Sequence, residues 1–147
     1  SNGTGTAGFR GSYNGNTTST TLFCGLTTAE AYLIRSECNA GLGLRDSAMA
    51  DINRLLKSRW KAGLFLPITA TTNEAALGFI LQERRKEMVM RGSRWFDLRR
   101  LNTESDKAVT IKRKLGSGFM LEPGSRRYTF YIPDKVISIS GMLQNTR

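Results

Sequence analysis

The sequence predicts a mainly α-helical fold: a tetratricopeptide-like helical hairpin, then a long helix, then a small C-terminal β element. Three observations predict it. Thr27-x-x-Glu30 and Thr71-x-x-Glu74 are capping boxes, each standing before residues at helical spacing. Gly41-Leu42-Gly43 interrupts the first helix only a few residues before the second begins, which makes the two antiparallel neighbours. Beyond the short helix predicted at Arg94–Leu101, Val109-x-Ile111 and Tyr128-x-Phe130-x-Ile132 alternate with a period of two, the period of strands.

The elements follow in order. Residues 1–21 are Gly, Ser, Thr and Asn except for Ala7, Phe9, Arg10 and Tyr13, a composition that buries little surface and reads as a flexible segment. A short strand at Phe9–Tyr13 is the only element expected there. Gly3-x-Gly5-x-x-Gly8 matches a dinucleotide fingerprint on paper, but only two residues precede Gly3, so no strand can lead into it. The first helix places Ala29, Tyr32, Leu33, Ser36 and Ala40 on one face. Asp46 suits the N-cap of the second, whose apolar face is Met49, Ile52, Leu56 and Trp60. The hairpin of residues 28–60 has the size of one tetratricopeptide unit. The long helix carries Leu77, Ile80, Leu81, Arg84 and Met88 on one face, and Gly92 is expected to break it. Ser93 can cap a short helix, Arg94–Leu101; a last helical turn is expected over Val136–Ile139.

Composition excludes several chemistries. The chain has 147 residues and no histidine, which removes Ser-His-Asp catalysis and His-ligated metal sites. Two cysteines, Cys24 and Cys38, are too few for a four-thiolate zinc site; they could pair with each other, and the reading preferred over that bridge is two free buried thiols. No metal or cofactor is expected. No apolar run approaches the ~18 residues of a membrane span. The net charge is +10, and between Arg84 and Arg100 seven bases face two acids.

Three segments carry a resemblance. Glu83-Arg84-Arg85-Lys86-Glu87-Met88-x-x-Arg91-Gly92-x-Arg94-Trp95-Phe96-Asp97-Leu98-Arg99-Arg100 is the most specific. Ala31 to Ala40 followed by Asp51-Ile52-Asn53-Arg54-Leu55 is the second, and Ile132-Pro133 with Gln144-Asn145 the third. Together they resemble the C-terminal region of the SusD/RagB family over about residues 22–145. The resemblance implies that residues 22–147 form a SusD-like C-terminal domain, a fragment of a longer protein. It implies a non-catalytic glycan-capturing protein on the external face of the outer membrane, working with a TonB-dependent, SusC-like transporter that takes up oligosaccharide or polysaccharide. Membrane attachment would come only through a lipid anchor absent from this chain, and Cys24 lacks the apolar leader such an anchor requires.

The signature residues Glu83, Arg84, Arg85, Glu87, Gly92, Arg94, Trp95, Phe96 and Asp97 are read as structural. Arg84 sits among apolar residues and needs a carboxylate, for which Glu37, Glu87 and Asp97 are the candidates. Trp95 and Phe96 are apolar anchors after a glycine break. Glu83 and Glu87 lie one helical turn apart, but the surrounding cations make them poor general acids, so no catalytic residue is assigned. Tyr13, Trp60 and Phe65 are the candidate aromatic platforms for a sugar, with the core as the competing destination of each.

Two other classes compete: a basic nucleic-acid-binding domain, supported by Lys112-Arg113-Lys114 and Arg126-Arg127, and a helical interaction scaffold. No nucleic-acid partner is expected, because no recognised binding motif accompanies the charge. DNA or RNA should therefore bind weakly and be released by about 0.15 M salt. A filter-binding titration over a salt series checks this; nanomolar, sequence-selective binding at that salt would transfer the chain to the nucleic-acid class.

Overall fold

The computed structural model describes residues 25–114, 116 and 118–146. The expected flexible segment at 1–21, its strand, Tyr13 and Cys24 lie outside the described residues. The chain forms two compact units that divide between Gly92 and Ser93.

The first unit is a three-helix arrangement of α1 (Thr28–Gly41), α2 (Arg45–Lys57) and α3 (Asn73–Glu87), each packed on the other two. Thr27 caps α1, its hydroxyl accepting from the Glu30 amide at 3.1 Å. At the other end Gly43 adopts φ of 80°, where a side chain would be strained. The Gly43 amide then reaches the Ala40 carbonyl at 3.1 Å and the Leu44 amide reaches that of Asn39 at 2.8 Å. This pair of bonds is a Schellman motif, and it reverses the chain directly into α2.

Ala29, Leu33, Ala40, Ala48, Met49, Ile52, Leu55, Leu56, Ala76, Ile80 and Met88 form the core. Leu33, Ile52 and Ile80, one from each helix, are fully enclosed. Small residues at Ala29, Ala40, Ala48 and Ala76 let the backbones approach. Ser36 also lies in this interior and donates to the Ala48 carbonyl at 2.7 Å, so its hydroxyl is satisfied across the helix pair.

The second unit contains α4 (Arg94–Leu101), a two-stranded antiparallel sheet, a 3-10 turn at Arg126–Tyr128 and α5 (Asp134–Ser140). Strands β1 (Ile111–Arg113) and β2 (Phe119–Leu121) pair Ile111 with Leu121, Lys112 with Met120 and Arg113 with Phe119. The Gln144 side chain takes the place of a further strand: its oxygen accepts from the Ile132 amide at 2.9 Å and its NH2 donates to the Ile132 carbonyl at 3.0 Å. Asn145 adds a bond to the Phe130 carbonyl at 2.8 Å. These bonds give the closing Ile-Pro and Gln-Asn pieces a shared structural purpose.

Several local expectations are corrected. Asp46 is not the cap of α2; that position is Leu44, and Asp46 lies in the first turn, paired with Arg45 at 2.8 Å. The cap of α3 is Thr72, whose hydroxyl accepts from the Ala75 amide at 3.1 Å. α3 ends at Glu87, five residues before Gly92, with Met90 at φ of 60° in between. The segment Tyr128–Ile132 forms no strand; the partner of β1 is Phe119–Leu121. Cys38 is free as expected, but exposed and not buried.

Glu74 sits in the first turn of α3, where its own amide and the Thr72 hydroxyl hold its carboxyl below the usual carboxylate range. A lowered folded-state pKa contributes stability that is present above the ordinary value and is lost as pH falls through the lowered one. Glu74→Gln should therefore flatten the acid limb of a thermal-midpoint-versus-pH curve while leaving the neutral-pH limb nearly parallel to that of the parent.

Candidate functional site

The first unit carries an open cleft of about 890 Å3, lined by α1, the last turns of α2 and the loop that follows. Its apolar part is a pair of rings. α2 stops at Lys57, and the Ser58 hydroxyl donates back to the Leu55 carbonyl at 2.6 Å. The chain leaves the helix axis there, so Trp60 departs from the apolar face of α2 and stands 58% exposed. Phe65 is half-buried against the core, 6.4 Å from Trp60 between ring centroids, with the planes inclined at 58°. Tyr32 enters from α1, with the Arg35 guanidinium 5.4 Å from its ring centroid.

The polar part rests on Asp51. This buried carboxylate receives two bonds from Arg35, at 2.7 Å from Nε and 2.6 Å from Nη2, and a longer one of 3.4 Å from Asn39. The Asp51 carboxylate raises the Arg35 pKa further above its already high ordinary value, so the guanidinium stays charged. Asn53 fastens the loop: its NH2 donates to the Ile68 carbonyl and its oxygen accepts from the Ile68 amide, both at 2.8 Å. Arg54, Lys57 and Lys61 complete the lining, and none of the three is ion-paired among the described residues.

A second hollow of about 490 Å3 lies where the α1–α2 turn meets the start of α3. Its one cation, Arg45, is already engaged with Asp46 and the Thr71 carbonyl.

Of the three aromatic candidates, Trp60 and Phe65 are brought together and Tyr13 lies outside the described residues. The cations and the Asp51 fork were missed by sequence reasoning. The available signal was the Arg54/Lys57 spacing of three on the side of α2 away from Ile52 and Leu56.

The signature residues are distributed differently. Arg84 is buried, and its Nη2 lies 3.9 Å from Glu30, a carboxylate outside the expected candidates. Arg91 approaches the other Glu30 oxygen at 3.9 Å and donates to the Gly25 carbonyl at 2.5 Å. Glu87 takes a bidentate bond from Arg59, which ties the loop after α2 to the end of α3. Glu83 pairs with Lys86 at 2.5 Å, and Arg85 points to solvent. The two glutamates considered as an acid pair are thus each held by a cation.

In the second unit Asp97 pairs with Arg100 at 3.2 Å. Trp95 stacks on Phe130 at 5.1 Å and meets Tyr128 at 5.0 Å. Phe96, expected to be an anchor, is 67% exposed; it lies one residue along α4 from Trp95, about 100° around the helix. Arg94 is half-buried.

The sequence profile of the SusD family matches residues 7–137. Proteins of that family bind glycans in nutrient uptake. No curated protein matches the chain.

If the signature holds the fold, Trp95→Ala should destabilise by about 2–4 kcal/mol, below the full core value because the ring is only half-buried. Arg84→Ala should cost about 3 kcal/mol, moderated because Arg91 remains beside Glu30. Chemical denaturation measures both; unchanged midpoints would remove the structural role.

Proposed function

The chain belongs to the SusD family, and from that membership we propose that it is a non-catalytic glycan-binding protein of the external cell surface, delivering its ligand to a TonB-dependent, SusC-like transporter of the outer membrane. The observation that carries glycan binding on this chain is the Trp60–Phe65 pair. A half-exposed indole beside a second ring offers an apolar surface to a sugar-ring face, and polar side chains at the edge can meet the hydroxyls.

The non-catalytic part of the reading rests on the carboxylates. Glycoside hydrolysis uses two carboxyl groups flanking one bond, one of them free to give a proton. Among the described residues that line the cleft the only carboxylate is Asp51, and Arg35 occupies it.

Affinity electrophoresis of the chain through gels containing a panel of polysaccharides tests the reading. At least one glycan should retard the chain, Trp60→Ala should abolish that retardation with an unchanged unfolding midpoint, and no new reducing ends should appear on prolonged incubation. Retardation indifferent to Trp60→Ala would move the site away from this cleft, and turnover would remove the non-catalytic assignment.

A further inference from the structure

We propose that the Trp60 cleft selects acidic saccharides, those carrying carboxylate or sulfate groups; this rests on the glycan-binding reading above and names the ligand class. The inference comes from an inventory of donors and acceptors. A neutral sugar presents hydroxyls that both donate and accept, so a cleft for it needs free acceptors as well as donors. The strong side-chain acceptors in this lining are already taken. Asp51 receives both bonds of the Arg35 fork and one from Asn39. The Asn53 amide is closed at both ends on Ile68.

The Tyr32 and Ser58 hydroxyls in the lining can accept as well as donate, but the charged groups that remain open there can only donate. Arg54, Lys57 and Lys61 carry full charges, line the cleft and have no ion-pair partner among the described residues. Lys57 and Lys61 line the same cleft as Trp60, so an anionic substituent on a ring stacked on that indole enters a cleft that carries both cations. Charge-assisted bonds to such an anion are about twice as strong as neutral ones.

A simpler account covers part of this. Arg54 and Lys57 lie in the last turn of α2, where cations complement the helix dipole. That account does not reach Lys61, which lies beyond the helix, nor the exposure of the ring between the lysines.

Calorimetric titration of the full chain at fixed ionic strength, with oligogalacturonate, its methyl ester, a sulfated oligosaccharide of similar length and polyglutamate, tests the proposal. The acidic saccharides should bind about tenfold or more tighter than the methyl ester. The double variant Lys57→Gln/Lys61→Gln should bring oligogalacturonate down to the level of the ester, and Trp60→Ala should weaken both; comparing the carboxylated and sulfated arms identifies the preferred anion. Equal binding of acid and ester, lost together in Trp60→Ala, would overturn acid selectivity and leave glycan binding standing. Polyglutamate binding as tightly as the acidic saccharides would reduce the effect to bare charge and overturn the proposal. Binding of no saccharide would overturn the glycan reading and this inference with it.

Discussion

The first unit depends on what happens to Asp51. It is a carboxylate next to Ile52 on a helix that faces the core, and burial without a partner would cost several kcal/mol. The partners come from α1, where Arg35 and Asn39 are spaced one helical turn apart and reach the same acid. The fork admits little freedom in the rotation of α2 against α1, and the buried Ser36 bond to Ala48 restricts it again further along the pair. Because the Arg35 side chain is 63% exposed, solvent screens the ion pair and it adds little to stability. Its larger effect is to fix which faces meet, and so to place Tyr32, Arg35 and Asp51 together on one wall of the cleft.

α3 is docked by a second ionic constraint of a different kind. Arg84 is buried within a helix face that is otherwise apolar, and the acid beside it is Glu30, in the first turn of α1. Glu30 is shared with Arg91, which also reaches the Gly25 carbonyl just before α1 begins. One carboxylate between two guanidiniums draws the end of α3 and the residues beyond it onto the start of α1. Arg59 and Glu87 fasten the same end of α3 to the loop after α2. The charged stretch from Glu83 to Arg91 thus makes three attachments to two segments, the start of α1 and the loop after α2. This is why so polar a sequence can be a packing motif.

The helices were legible because their signals are local. The α1 face, the Gly43 reversal and the bounds of α4 follow from spacing and glycine, with no knowledge of neighbours, although Ser93 at the start of α4 makes no side-chain cap bond. The misreadings share a cause: a pattern continued past a point where a hydrogen bond had ended it. Trp60 keeps helical register with Leu56, but the Ser58 hydroxyl closes α2 before it, so a residue read as core becomes the open wall of the cleft. Thr71 and Thr72 both precede an acidic residue, and the choice between them depends on which hydroxyl meets an amide three residues on. Tyr128 to Ile132 alternates like a strand, yet Tyr128 turns into a 3-10 segment and the Gln144 and Asn145 side chains occupy the backbone groups that a strand partner would use. The approach of Arg84 to Glu30 was unreadable for the same reason: the two are 54 positions apart, and only the packing of α1 on α3 makes them neighbours.

Charge illustrates the boundary between the two kinds of information. The excess of +10 is plain in the sequence, but its location is not. The structure shows where the acids are committed: Glu30 to the Arg84–Arg91 pair, Asp51 to Arg35, Glu83 to Lys86, Glu87 to Arg59, Asp97 to Arg100 and Glu104 to Lys107. Three of these acids, Glu30, Asp51 and Glu87, join segments that are distant in sequence, and the other three make local contacts three residues away. The densest run of bases, from Arg84 to Arg100, includes several engaged cations, while Arg54, Lys57 and Lys61, on either side of the engaged Arg59, have no ion-pair partner among the described residues. A basic surface built in this way is defined by which acids the fold has already used, and it can be found only after the packing is known.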